Sequence, residues 1–472
     1  MAGTRMVACR MLELALFLGR AVLLVVRVQQ LLHREMQEEE KDLHVSGSHG
    51  VVPGPCPPIN AIHRKPQILI PHKSPREASS LDGTELWLRL YWYVVAGCPI
   101  PLVGDPYSVG FPPGFKGATT SVPMSVTYIV EESLVDADKE LPVGILFGGN
   151  QTWQQRDESF ILKPSMKVHC GFAQTGGPEL FSPKDHAFGS RCRFLVATGI
   201  FDNYDQPHQP SNVSLLAQEL FCFAMLVDHV SLESFKHGGL LSHDEYGGKW
   251  VGMWRVLELK SLPYNEPRRN GKVPKLLLHR LFPEARYSVW IDGKLELVTD
   301  PILILERYLW RENQSFAIAQ HKHHRSVYEE ADACKRRKRY ARPLIDKHME
   351  VYRNEGLQPW SEAKLPVQSD VPEGALIVRE HTPMTNLFSC LWFNEVNRFT
   401  PRDQLSFGYV VHRLDYSFPF FMFPNCEYNT LVVLHKHVRE HSSKLEWAKR
   451  MDELPEHLAR PYNSFSAPSP GT

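Results

Sequence analysis

Beyond about residue 143 the chain is a series of short apolar runs, most of them closed by glycine or a polar residue. Met166 to Gly171, Arg193 to Thr198, Phe221 to Val227, Trp250 to Leu257, Tyr287 to Ile291, Ser315 to Ala319, Gly374 to Val378 and Leu431 to Leu434 read as strands, with Val143 to Phe147 a further run ahead of them. Helical patterns fall between them. Lys275 to Phe282, Pro301 to Trp310 and Met384 to Phe399 read as helices, as does the stretch opened by Arg402, Asp403 and Gln404. Ser326-Val327-Tyr328-Glu329 is a capping box that starts a helix through Lys335 to Arg339, broken before Pro343. Such alternation predicts an α/β domain, a Rossmann-like mixed sheet flanked by helices.

The ends differ from this middle. Met11 to Val28 is mostly apolar and follows Arg5 and Arg10, so it reads as a weak signal anchor, interrupted by Glu13, Arg20 and Arg27. An amphipathic helix is the alternative for the same residues. Leu86 to Val103 is a weaker candidate span because it holds Arg89, Pro99 and Pro101. The expected organisation is a cytosolic tail and anchor over 1–45, a Pro/Gly-rich stem over 46–142, a folded domain over 143–437 and a polar, partly disordered tail over 438–472.

Composition narrows the function classes. The chain has 472 residues, 43% of them hydrophobic, enough for a large core. Lys plus Arg (53) balances Asp plus Glu (53), which gives no general case for nucleic-acid binding. Nine cysteines lie far apart with no Cys-x-x-Cys pair, so a zinc ribbon and a thioredoxin motif are excluded, while disulfides of unreadable connectivity remain open. Sequons at Asn150, Asn212 and Asn313 are usable as glycosylation sites only in the secretory lumen.

Candidate chemistry gathers at Asp292. A carboxylate at the end of a buried strand faces the crevice where α/β sheets hold ligands, although Asp292-Gly293 is equally a common turn dipeptide. Asp300-Pro301 then opens the next helix. The loop after Arg193 to Thr198 offers Asp202, Asn203, Tyr204 and Asp205 to a base and ribose, with a polar surface loop as the alternative. Lys272 and Lys275 are placed to bind a diphosphate or to solvate a helix start. His321 and His324 lack helical zinc spacing, and with Arg402 and Gln404 they suggest a polar acceptor pocket. His435 is a candidate for completing a metal or diphosphate site, as is its neighbour His437.

The order strand, Asp292, apolar run, Asp300-Pro301, helix resembles the sugar-nucleotide turn of GT-A glycosyltransferases, with Lys294 where their second aspartate stands. Pro401-Arg402-Asp403-Gln404-Leu405-Ser406-Phe407 resembles a glycosyltransferase stretch whose carboxylate meets the acceptor or the transferred sugar. Together with Phe194 to Asp205, Gly271 to Pro301, Lys335 to Asp346 and Asp370 to Gly374, the chain from about Val143 to His437 resembles a plant glycosyltransferase-like family. That family includes the probable hexosyltransferase of seed-coat mucilage synthesis and a member described as an alkaline ceramidase.

The resemblance implies a GT-A-like lumenal domain of a single-pass type II Golgi membrane glycoprotein. Its donor would be a nucleotide-sugar and its acceptor a cell-wall polysaccharide, pectic or mucilage-type, or a glycolipid. Asp292 and Asp403 would be catalytic, with Asp403 a base if the reaction inverts or a stabiliser of the sugar cation if it retains. Asp202, Tyr204, Lys272, Lys275, Asp292 and Lys294 would bind the donor, and His321, His324, Arg402 and Gln404 the acceptor. Mn2+ or another divalent cation would sit on Asp292 and His435, or Lys294 would make the reaction metal-independent. The alternatives are a ceramide hydrolase and a non-catalytic partner of other Golgi glycosyltransferases. For hydrolysis the sequence offers no Gly-x-Ser-x-Gly elbow and no His-Glu-x-x-His.

Overall fold

The computed structural model describes residues 104–112, 125–129, 151–172, 181–260, 262–438 and 444–454. Both candidate membrane segments, the run Val143 to Phe147 and Asn150 lie outside these residues. Among the described residues no helix is long and apolar enough to cross a membrane.

Within the segment read as a stem, β1 (Ser125–Tyr128) pairs in parallel with β2 (Ser165–Val168). The main body is a nine-stranded mixed sheet. In chain order its strands are β3 (Phe194–Ile200), β4 (Phe221–Val227), β5 (Ser242–His243), β6 (Lys249–Val251), β7 (Trp254–Glu258), β8 (Tyr287–Ile291), then, after the short β9 (Leu295–Leu297), β10 (Phe316–Gln320), β11 (Pro372–Glu380) and β12 (Phe421–Phe423). Across the sheet they run β12-β10-β11-β8-β3-β4-β7-β6-β5, and β9 pairs separately with β13 (Val432–Leu434).

Both faces of this sheet are covered, which is why its central strands are continuously apolar rather than alternating. Leu195 and Ala197 of β3 point into one core, with residues of the helices Lys272–Leu281, Pro383–Arg398 and Gln404–Arg413. Phe194 and Val196 point into the other, against the helices His229–His237 and Pro301–Leu305. Two disulfides brace the body. Cys192–Cys222 joins the approach to β3 to the second residue of β4, and Cys170–Cys390 ties the chain after β2 to the helix Pro383–Arg398. Cys426 is also disulfide-bonded, and Cys334 is the free thiol among the described residues.

The mixed sheet flanked by helices agrees with expectation; three local readings change. Trp250 to Leu257 is a tight hairpin, β6 and β7 reversing at Gly252, whose φ of 57° suits glycine. Pro301 to Trp310 passes from an α-helix into a π-helical turn at Glu306. The helix capped at Ser326 stops at Arg336, where Lys338 takes a φ of 49° and the Arg339 amide reaches back to the Cys334 carbonyl. A second helix, Arg342–Asn354, then begins with Pro343 in its first turn. Asn212 and Asn313 are both exposed on the surface.

Candidate active site

Where the carboxyl end of β8 meets the start of β11, antiparallel register sets Leu376 against Ile291, and the Asp292 amide donates to the Ala375 carbonyl at 2.8 Å. Asp292, Glu373 and Gly374 thereby share one end of the sheet. The helix Lys272–Leu281 starts at the same place, without a side-chain cap, and its dipole adds positive potential there. Lys272 and Lys275, three residues apart, share a face of its first turn.

These groups form a chain of alternating charge. Lys272 Nζ lies 3.0 Å from Asp403 Oδ1, Lys275 Nζ lies 2.7 Å from Asp403 Oδ2, and Lys275 Nζ also lies 3.2 Å from Asp292 Oδ1. Trp290 Nε1 donates to the same Asp292 oxygen at 2.8 Å. Asp403 sits at the N-cap position of the helix Gln404–Arg413, yet its carboxylate makes no cap hydrogen bond. Helix capping therefore does not account for it; the two lysines do. The site is closely fitted at Gly374, where a Cβ would lie 3.2 Å from Asp403 Oδ2 and 3.4 Å from Lys275 Nζ.

Burial and charge pull these groups in different directions. Burial opposes ionisation of Asp403, but Lys272 and Lys275 outweigh it and hold the carboxyl well below the usual carboxylate range. Burial likewise opposes charge on Lys275, and Asp292 with Asp403 overcomes it, so its ammonium is kept. For Lys272 burial prevails and its pKa is lowered. Glu373 moves upward, because burial outweighs the nearby Lys294. Asp403 is thus held as an anion, whereas Glu373 holds a proton more readily than a free glutamate.

The groups line a cleft of about 940 Å³, within the range of ligand sites. Tyr204 and Lys294 face it, as do Asp205, His435 and His437, and Lys294 has no ion-pair partner among the described residues. His437 Nδ1 meets Asp205 Oδ1 at 2.6 Å and the His437 ring packs 4.4 Å from Tyr204, so the segment after β13 closes over the loop after β3. Asp202 is not among the lining residues. Its backbone and that of Asn203 turn through positive φ, and their amides go to Asp228 and Ser231 at the start of the helix His229–His237.

His321, Arg402 and Gln404 line the cleft, and His324 does not. His324 Nδ1 instead meets Glu330 Oε2 at 2.8 Å, while Arg402 Nη2 reaches Gln404 Oε1 at 2.9 Å. Glu373 and the cleft-lining Glu330 were not singled out from sequence. Glu330 meets His324 and Cys334 nearby in the chain but reaches the cleft beside Arg402, 72 positions on, and Glu373 lies near Lys294 and Asp292, about 80 positions before it.

A divalent cation is poorly served by this set. Lys275 already occupies Asp292, Lys294 replaces a second carboxylate, and His435 Nε2 is turned to Glu296 Oε2 at 3.2 Å with its ring stacked on His208. Two further groups of metal-capable residues occur among the described residues, one of them at the edge of this cleft. In one, Cys170 and Cys390 are joined in a disulfide beside His279. In the other, the His324 amide donates to His321 Nδ1 at 3.0 Å, which leaves the proton of the neutral ring on Nε2, and burial pushes the His321 pKa down to about 4. In that tautomer His321 Nε2, 3.8 Å from Glu330 Oε2, carries a proton and not a lone pair.

A family model for the TOD1/MUCI70, glycosyltransferase-like domain matches residues 126–437, starting ahead of the expected Val143 and ending at His437. The chain is 47% identical over 324 residues to probable hexosyltransferase MUCI70 of Arabidopsis thaliana, a match covering 67% of this chain and 55% of that protein. It is 35% identical over 295 residues to alkaline ceramidase TOD1 of the same plant, covering 62% and 63%. The matched chain spans less than two thirds of either relative. Among solved structures, the apo bifunctional glycosyltransferase WbbM aligns at 12% identity over 49% of this chain and 39% of that one, with a TM-score of 0.29. Mouse xyloside xylosyltransferase 1 in its apo form aligns at 11% identity over 48% and 84%, with a TM-score of 0.30. At those scores neither structure carries weight here. The family match covers most of the sequence, including every strand of the large sheet: the chain belongs to the TOD1/MUCI70 glycosyltransferase-like domain family.

Proposed function

We propose that this domain transfers a hexose from a nucleotide-sugar to a saccharide acceptor, a cell-wall polysaccharide, in the Golgi lumen. The observation that carries the reading is the alternation Asp292–Lys275–Asp403–Lys272 at the sheet end, beside Lys294, which faces the cleft. In the transfer the bond from the sugar anomeric carbon to the diphosphate oxygen breaks, and its electron pair leaves with the nucleoside diphosphate. The acceptor hydroxyl oxygen bonds to that carbon and its proton passes to Glu373. Lys272, Lys275 and Lys294 meet the growing negative charge, with Asp403 and Asp292 holding two of them in place beforehand. Tyr204 and Asp205 line the donor end. Disulfides and exposed sequons suit an oxidising compartment.

Thermal unfolding of the full-length protein against UDP, GDP and their sugars, each with manganese and with EDTA, tests this. A nucleotide at 100 times its dissociation constant adds about 2.7 kcal/mol. Stabilisation by at least one nucleotide is expected, undiminished by EDTA because lysines occupy the metal's place. No shift with any nucleotide would remove the transferase reading.

A further inference from the structure

The segment 444–454 follows the matched domain, packs onto it and supplies part of the cleft. Ala448 and Leu454 are buried in the core that also holds the helices of that face, and Leu445 and Met451 pack against it. The buried Glu446 carboxylate lies 2.6 Å from Arg268 Nη1, which also donates to the Arg339 carbonyl at 3.0 Å. Between these anchors Trp447 is left 60% exposed, and it lines the cleft that contains Lys272 and Asp403. Lys338 Nζ stands 3.2 Å from the centre of its ring.

Two features set Trp447 apart from an ordinary exposed apolar residue. A tryptophan carries the largest apolar surface of any side chain, yet the residues on either side of it are buried and it is not. Its cation partner is held at a strained position, since Lys338 has a φ of 49°, a left-handed conformation unfavourable for a non-glycine residue.

We propose that Trp447, backed by Lys338, is the platform on which a pyranose ring of the acceptor stacks. The indole face left free by Lys338 takes the C–H face of the sugar, and the cation on the other face fixes the ring plane. This deepens the transferase reading and rests on it.

The test uses the full-length protein and its W447A, W447F and K338G forms on an array of neutral and acidic plant cell-wall oligosaccharides. UDP stabilisation of the wild type is measured in parallel. Wild type is expected to retain at least one oligosaccharide, W447A to bind it about tenfold more weakly and W447F within about threefold. K338G separates binding from folding. Glycine suits that φ, so the variant should unfold no earlier than wild type while still losing affinity. Equal retention by W447A and wild type, or no retention by wild type, overturns the platform. Failure of UDP to stabilise wild type overturns the transfer reading instead, whatever the array shows.

Discussion

At the scale of single residues, the site depends on charges that burial alone would suppress. Lys275 and Asp403 are each about one-twentieth exposed, so Lys275→Met strands a carboxylate that only Lys272 still balances. That substitution should lower unfolding free energy by about 3–5 kcal/mol, by urea titration, and cut transfer by about 10²–10³-fold. Lys272→Met should affect rate with a smaller stability loss, because 19% of that side chain is in water. Away from the cleft, burial pushes Asp370 up to about 6 despite Lys364 at 2.7 Å. Its unfolded value is near 3.9, so the folded state binds the proton more tightly. The resulting stability is complete below about pH 3.9 and is lost as pH rises through about 6, a change of about 3 kcal/mol. Melting temperatures from pH 4 to 8 should show that fall in wild type, and its absence in Asp370→Asn. Asp292, Asp403, Lys272 and Lys275 were legible in sequence as charges at strand and helix ends. Glu373 was not, since only the pairing of the following residues of β11 with β8 places it beside Asp292.

At the scale of elements, β4 and β8 were legible at their observed limits. Each is an apolar run buried on both faces and closed by an aspartate, and no local alternative competes. The β6–β7 hairpin was missed because Gly252-Met253 lies inside an otherwise unbroken apolar pattern. The π-helical turn and the left-handed Lys338 were hidden for a related reason: tertiary contacts impose them on residues whose own preference is helical. Cys192–Cys222 fastens the starts of two paired strands across 30 positions. Replacing both with serine should cost roughly 3–4 kcal/mol, read as an earlier denaturant midpoint. The cleft is built at the other end of those strands, so nucleotide affinity of the folded variant should stay near wild type.

At the scale of the whole molecule, equal numbers of acids and bases conceal an uneven distribution. Arg268, Arg337, Lys338, Arg339 and Lys436 all line the cleft that holds Lys272, Lys275 and Lys294. Cations outnumber the carboxylates that line the same cleft, and such an excess at the mouth of a neutral protein draws an anionic ligand inward. Stopped-flow association of UDP should slow by roughly tenfold as salt rises from about 20 to about 500 mM, with little change in dissociation rate. The pairing of β8 with β11 has a further consequence, for the order in which the chain is made. Asp292 leaves the ribosome well before Glu373 and Asp403, so a nascent or prematurely stopped chain holds Lys272 and Lys275 without the Asp403 carboxylate that pairs with both. Activity can begin only after about residue 404 has emerged and β11 has docked, which makes the chemistry a late event in the protein's own synthesis.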